Sequence, residues 1–409
     1  MLITADIVLF LSLVWPFLAG AIIAIFAPDA RTGEEDARTR FTQLAANFSV
    51  VSFTLSALNV PLSLYLSATA AEGVEFGWMV EMPLATIGCL LLHAGLVSQC
   101  FAPPQPEEDR ALVARDTVPF WTTGLLSLAM LLEEPVARAG MLLSAPILAV
   151  ILLDTGAGRG QNGWNTLRRT ATGALLVFSG FLHPNLTVEG ILAALGFCLL
   201  AGLFPAALSR GNPSPSRPGN APELLRAATA TLAVAALLAT FPLPPPTMFA
   251  FRGTLFVLGL ATLVVATLRL RLSRAGQIDA IAQASLGLAA IAAGVIHPLV
   301  ADLALLGPLL ATPWLAGTPA TSAKATVISR WLLLLPGFCA LLCAVTLVAG
   351  ISLPLTLLLI AAALPALRPV SRLIATHHAP ARVAPSRVPA SRPNTQPTPI
   401  HSGTPEPRS

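Results

Sequence analysis

Apolar runs of 15 to 20 residues follow one another along most of the chain, and only short polar stretches separate them. A helix of about 20 apolar residues crosses the hydrocarbon core of a bilayer, so this pattern predicts a polytopic helical membrane protein. Hydrophobic residues make up 55% of the 409 residues and charged residues only 11%, which excludes a cytosolic enzyme. Strands are not expected. The predicted fold is an all-α, polytopic transmembrane helical bundle.

The apolar runs place thirteen spans on the chain. Several of the runs are shorter than the roughly 20 residues that a spanning helix needs, so flanking residues must extend them. The spans are predicted near residues 9–27, 48–67, 83–101, 118–132, 139–153, 167–182, 191–208, 227–241, 254–268, 280–296, 299–315, 331–348 and 351–367.

The distribution of Lys and Arg tests the number of spans independently, because basic residues in short loops are retained on the cytoplasmic side. With thirteen spans, sixteen of the 24 Lys and Arg residues fall in odd-numbered loops, among them Arg226 before span 8. Only Arg138 and Arg252 fall in even-numbered loops, and the other six follow residue 367. This bias predicts an N-terminus outside the membrane and a C-terminus in the cytoplasm.

The composition changes from Arg368 onward to Pro, Ser, Thr, Ala and Arg. A segment of this composition cannot bury a hydrophobic core. The chain is therefore predicted to consist of a transmembrane helical domain, residues 1–367, and a disordered, Pro/Arg-rich cytoplasmic tail, residues 368–409.

Several classes of ligand are not expected. The net charge of +4 is spread over loops and the tail without forming a basic face, so a nucleic-acid partner has little support. The five cysteines lie in apolar segments without a CxxC pair or a Cys/His cluster, which is typical of small core residues. We therefore expect no metal, cofactor or redox centre.

Ionisable residues within apolar spans are one sign of membrane transport. His93, about midway along span 3, is predicted to lie at depth, where its imidazole either relays protons or hydrogen-bonds a neighbouring helix. Arg330, beside Trp331 at the start of span 12, is the next candidate, although an Arg-Trp pair is also an ordinary interface anchor. Seven carboxylates fall at predicted span ends: Glu81, Glu133, Glu134, Asp154, Glu189, Asp279 and Asp302.

Interrupted helices are a second sign of transport, because their freed backbone groups line a hydrated path. Span 7 contains Gly202 and Pro205, and span 12 contains Pro336 and Gly337. We predict helix breaks at both places. The alternative is that these residues reflect the general tolerance of membrane helices for Pro and Gly.

Five segments, in this order, carry a family resemblance. In segment 75–97, Glu81 precedes an apolar helix, and segment 200–205 (LAGLFP) is similar to a broken family helix with the pattern Lys-x-Gly-x-x-Pro. Segment 220–243 is similar to the family pattern "APxPVSALL". Segment 258–294 contains AIAQASLGLAAIAAG, similar to "LLAYSSIxxxGxI", and segment 314–335 is similar to "LAGxPPxxGFxxKWLLL". Together they resemble the antiporter-like membrane subunits of NADH:quinone oxidoreductase, of Mrp antiporters and of membrane-bound hydrogenases of the hydrogenase-4 and formate hydrogenlyase kind.

The resemblance implies two inverted five-helix repeats, spans 4–8 and 9–13. It also implies a mid-membrane Glu in span 5 that pairs with a Lys in the broken seventh helix. Here the Lys position holds Leu200, the Glu position falls near Ser144, and Arg330 keeps the charge of the cation of the twelfth helix. Because Arg does not readily give up its proton, a relay role is doubtful there as well.

The resemblance and these departures together predict a divergent, non-catalytic membrane subunit of a respiratory NADH dehydrogenase-like or membrane-bound hydrogenase complex, hence of an oxidoreductase. Its expected partners are the lipid bilayer and sister membrane subunits, its expected location is the bacterial inner (plasma) membrane, and its expected role is mainly that of a scaffold. The alternative is a stand-alone polytopic transporter.

Overall fold

The computed structural model describes residues 2–26, 35–69, 83–102, 112–153, 160–206, 221–240, 243–269, 274–295, 297–317 and 323–363. Within these ranges the regular secondary structure is entirely helical, which confirms the predicted all-α class. Glu81 and the predicted tail, 368–409, lie outside the described residues. For Arg330 the structure describes the helical backbone only.

Thirteen described helices correspond one by one to the thirteen predicted spans. They are α1 (Leu2–Phe26), α2 (Glu35–Thr69), α3 (Pro83–Phe101), α4 (Leu112–Leu131), α5 (Pro135–Leu153), α6 (Gly160–Phe181), α7 (Leu186–Ala201), α8 (Ala221–Leu238), α9 (Pro245–Arg269), α10 (Arg274–Gly294), α11 (Pro298–Gly317), α12 (Ala323–Ile351) and α13 (Leu353–Ala363).

Five of these helices are long and apolar enough to cross a membrane. They are Ile7–Phe26, Arg40–Ala68, Pro83–Phe101, Pro135–Leu152 and Pro245–Arg269. Six further apolar helices of 10–17 residues lie in α4, α7 and α10–α13. A helix that is covered by other helices need not be apolar along its whole length. The chain is a multi-pass membrane protein.

Cross-helix contacts show the relative direction of α2 and α3. Ser52 of α2 pairs with His93 of α3, and Ser63 of α2 pairs with Thr86 of α3. The residue number therefore rises along one helix as it falls along the other, so α2 and α3 are antiparallel.

Helices α3 and α11, by contrast, run in the same direction. Gly95 of α3 lies against Leu309 of α11, and the Ser98 hydroxyl donates a hydrogen bond to the Leu310 carbonyl at 2.6 Å. Both helices have odd numbers in chain order. Successive helices cross the membrane in alternating directions, so two odd-numbered helices must run in the same direction.

Helix α8 is the centre of the bundle. It packs against α3, α4, α5, α7, α10 and α11. Every residue from 226 to 239 is buried, and alanine occupies half of these positions. Small side chains let surrounding helices approach on all sides, so α8 tolerates no large change in side-chain volume.

At several helix crossings, glycines bring the two backbones into contact. A Cβ atom on Gly196 of α7 would lie 2.6 Å from the carbonyl oxygen of Gly173 in α6. A Cβ atom on Gly259 of α9 would lie 2.8 Å from the carbonyl oxygen of Gly287 in α10. These distances are shorter than van der Waals contact, so both crossings require glycine.

The predicted break in span 7 is present. Helix α7 ends before Gly202, which adopts the left-handed conformation with φ 74°, and residues 202–205 are not helical. The Leu203 N–H donates back to the Cys198 carbonyl at 2.8 Å. The Phe204 N–H donates to the Thr262 hydroxyl of α9 at 2.8 Å, so a side chain replaces one of the lost helical bonds.

Span 12 differs from the expectation. Helix α12 continues through Pro336 and Gly337 without a non-helical residue. Proline removes one backbone donor, and the hydrogen bonds of the remaining residues are enough to keep a membrane helix continuous. Pro336 and Gly337 therefore do not open the backbone as residues 202–205 do.

Many of the arginines expected in loops lie inside helices, and three of them bear on the bundle. Arg226 belongs to α8, which begins six residues before the predicted span 8. Arg138 and Arg252, the two exceptions to the charge bias, belong to α5 and α9. The Arg138 Nε donates to the carbonyl of Leu132, and the Arg252 Nε donates to that of Ala239 at 3.0 Å. These carbonyls directly follow α4 and α8, so both arginines cap helix C-termini.

Candidate functional site

His93 is buried, with 1% of its surface exposed, and both of its ring nitrogens face hydroxyl groups. Nδ1 lies 2.9 Å from the Ser52 hydroxyl of α2, and Nε2 lies 3.3 Å from the Ser127 hydroxyl of α4. A neutral imidazole has one donor and one acceptor, and hydroxyls can serve either. His93 thus joins α2, α3 and α4. This hydrogen bonding is one of the two roles considered for it from the sequence.

Polar side chains continue from Ser52 along one face of α2. Ser52, Ser56, Asn59 and Ser63 follow one another at intervals of three or four residues, which places them on one side of the helix. The first three are at most 6% exposed. Asn59 Nδ2 donates to the Ser12 hydroxyl of α1 at 2.6 Å. The Ser56 hydroxyl is buried and has no hydrogen-bond partner among the described residues.

Arg226, near the start of α8, contacts α4 one helical turn from Ser127, the α4 partner of His93. It is 1% exposed, and its Nη1 donates to the Pro119 carbonyl and to the hydroxyls of Thr122 and Thr123, at 3.0, 3.3 and 3.1 Å. Its Nη2 donates to Oε1 of Gln99 in α3. The guanidinium is therefore held against α3 and α4, while its Nε has no partner in the described part of the chain.

Glu223 precedes Arg226 by one turn of α8 and is 2% exposed. Its Oε1 accepts a hydrogen bond from Nε2 of Gln99, so Gln99 contacts both charged residues. None of Glu223, Arg226 and Gln99 was predicted from the sequence to be a buried polar residue. Pro222 and Glu223 carry a usable signal, since Pro and an acidic residue are favoured in the first turn of a helix.

We call this series of polar residues the polar seam: Ser63, Asn59, Ser56, Ser52, His93, Ser127, Thr123, Arg226 and Glu223. It runs along the contacts of α2, α3, α4 and α8. Within the described residues, no group of three or more His, Cys, Asp or Glu side chains is placed to hold a metal ion.

The positions that correspond to the family's Lys and Glu hold no ionisable group. Leu200 is 4% exposed and packs against α6, where its Cγ lies 3.0 Å from a Cβ atom built on Gly173. The Ser144 hydroxyl donates to the Gly140 carbonyl of its own helix at 2.9 Å. Of the three residues predicted to form a proton path or polar core, the structure describes the side chain of His93. Glu81 and the side chain of Arg330 lie outside the described part of the chain.

No family model and no curated protein matches the sequence. Several solved structures share the fold, and two of them belong to respiratory membrane complexes. A chain of respiratory complex I from Thermus thermophilus with bound NADH aligns with a TM-score of 0.60 and 16% identity, over 88% of this chain and 87% of that one. A chain of the membrane-bound sulfane sulfur reductase (MBS), an archaeal respiratory membrane complex, aligns with a TM-score of 0.62 and 13% identity, over 90% and 88%. The chain thus shares its fold with membrane subunits of two respiratory complexes, as the family resemblance predicted.

Proposed function

We propose that the chain is a membrane subunit of a respiratory complex, a divergent antiporter-like subunit that serves mainly as a scaffold. The observation that carries the proposal is a fold shared, over nearly nine tenths of each chain, with chains from two respiratory membrane complexes. The parent complex is of the NADH dehydrogenase-like or membrane-bound hydrogenase kind, in a bacterial inner membrane. The N-terminus lies outside and the C-terminus in the cytoplasm, an orientation that reporter fusions at both ends test.

The two residues at the positions expected for the family's Lys and Glu support the scaffold role. Leu200 lies in the close contact of α6 and α7, and Ser144 bonds to its own backbone. Leucine has no proton-exchanging group and a serine hydroxyl does not ionise, so neither side chain replaces the charge-changing pair of the family. We therefore expect the purified wild-type protein in proteoliposomes to pass protons no faster than protein-free vesicles under a pH gradient. A faster flux would contradict the scaffold role.

One outer face of α6 is suited to a sister subunit. Asn165, Arg168, Thr172 and Ser179 lie on α6 and are exposed. Leu175, 65% exposed, lies on the same face between Thr172 and Ser179. Small hydroxyl side chains beside a leucine are common where membrane helices pack on one another.

Purification of the tagged chain from native membranes tests membership in a complex. We expect it to co-purify with other polytopic membrane subunits of one oxidoreductase, in fixed stoichiometry by mass spectrometry. The double variant Thr172→Leu/Ser179→Leu is expected to lose these subunits, because the leucines disturb the α6 face. Gly253→Leu is the control, since residue 253 lies on α9, is exposed and has no atom within 4 Å of an added Cβ. Recovery of the wild-type chain alone would favour the stand-alone transporter.

A further inference from the structure

The polar seam extends over most of the thickness of the hydrocarbon core. Ser63 and Ser52 are eleven residues apart on α2, which is about 16 Å along the axis. His93 then connects Ser52 to Ser127, and Thr123 lies one turn from Ser127, about 6 Å further. From Arg226 to Glu223 the seam continues for about 4 Å. The total, about 26 Å, approaches the roughly 30 Å of a bilayer core.

The steps of the seam are short. Its neighbouring groups are hydrogen-bonded to each other or separated by about one helical turn, a distance that one water molecule bridges. Two fully buried atoms on it, the Ser56 hydroxyl and Arg226 Nε, have no partner among the described residues. Buried polar atoms of this kind are usually satisfied by ordered water. The seam therefore has the groups and the vacant bonding capacity of a water-filled path.

We propose that the polar seam is a proton path and that Arg226 holds it closed. From Ser63 to Thr123 the seam offers hydroxyls, an amide and one imidazole, but no carboxylate that would bind a metal cation. Each hydroxyl or water can accept one proton and release another from the same oxygen, and His93 can accept at one nitrogen and release at the other.

Arg226 stops this transfer for two reasons. Its guanidinium keeps its proton and its positive charge, and a fixed cation in a narrow hydrated path repels an approaching proton. It is also held in place by acceptors on α3 and α4. Glu223 lies nearer the start of α8, so a proton entering from Ser63 meets the guanidinium before the carboxylate. The inference rests on the proposed function, in which the intact subunit does not conduct.

The test measures proton uptake into proteoliposomes containing the full-length protein, with a pH-sensitive dye inside and a potassium diffusion potential as the driving force. We expect Arg226→Gln to raise the rate at least about 10-fold over wild type, because the fixed charge is removed from the path. Arg226→Lys keeps a positive charge, but its ammonium can release a proton when buried, so its rate is expected to lie between those of wild type and Arg226→Gln. Adding Ser56→Leu to Arg226→Gln should return the rate to the wild-type value, since leucine fills the seam.

Arg252→Gln is the matched control, because it removes an arginine that contacts Ala239 and lies away from the seam. It should not increase the rate. The proposal would be overturned if a folded Arg226→Gln protein takes up protons no faster than wild type. It would also be overturned if Arg252→Gln takes up protons as fast as Arg226→Gln, or if adding Ser56→Leu does not lower the rate of Arg226→Gln. A wild-type protein that conducts would contradict both the scaffold role and the closed path, whereas an Arg226→Gln protein that does not conduct contradicts only the closed path, so the two failures are distinguishable.

If Arg226→Gln does not fold, the reactivity of a cysteine placed in the polar seam with a water-soluble reagent tests the proposal. In a variant with the five native cysteines replaced by alanine, Ser56→Cys is expected to react with a small, water-soluble methanethiosulfonate. Ala129→Cys is the control, because Ala129 is fully buried in the apolar core of α4. Equal protection of both cysteines would show that the seam is dry and would overturn the proposal.

Discussion

Gly259→Leu is expected to remove most of the folded protein from the membrane. The first added carbon would lie 2.8 Å from the Gly287 carbonyl oxygen and 2.9 Å from the Ile291 backbone nitrogen. Backbone atoms cannot rotate away as a side chain can, so α9 and α10 must separate. Overpacking of a well-packed core costs about 1–3 kcal/mol, and we expect at least the upper end of this range. Thermal unfolding in detergent measures it.

Gly253→Leu supplies the comparison within the same helix. An added Cβ at residue 253 meets no atom within 4 Å, and the position is exposed, so leucine there contacts lipid. Its unfolding temperature should stay close to that of wild type, and Gly259→Ala should fall between the two leucine variants. Equal unfolding temperatures for the two leucine variants would show that the α9–α10 contact is not close.

The order of the helices could be predicted from the sequence because each apolar run has to be buried in lipid or protein. Hydropathy failed where a charged residue lies inside the bundle. The apolar run of span 8 begins after Arg226, yet α8 begins at Ala221, because neighbouring helices supply acceptors for the guanidinium. A single sequence contains those acceptors but does not show that they surround the arginine.

The polar seam had a partial signal in the sequence. The spacing of Ser52, Ser56, Asn59 and Ser63 is visible as a helical periodicity. Serine, however, is nearly neutral in hydropathy and often bonds to its own backbone, so the spacing alone does not indicate which way the face points. His93 was recognised at depth, but its two hydroxyl partners lie 41 and 34 residues away in the chain and become neighbours only through packing.

Leu200→Lys restores the family's lysine at the broken seventh helix and is expected to damage the protein without creating transport. Leu200 is 4% exposed and lies against the backbone contact of α6 and α7, with Gly173 beside it. The Ser144 hydroxyl, at the position of the family's Glu, supplies no negative charge. An unpaired ammonium at this depth costs about 3 kcal/mol. Folded yield and unfolding temperature in detergent should both fall sharply, with no proton flux in proteoliposomes.

Two controls show whether the loss of stability in Leu200→Lys comes from the charge, from the change in side-chain volume or from the position. Leu200→Met keeps the size and apolar character of the side chain, so its cost should be below about 1.5 kcal/mol. Ile191→Lys places the same charge near the start of α7 at a position 42% exposed, where the long side chain reaches the interface and the cost is small. A stable Leu200→Lys protein that passes protons would mean that the seventh-helix path still exists. The loss of a single lysine would then explain why the wild-type chain is tight.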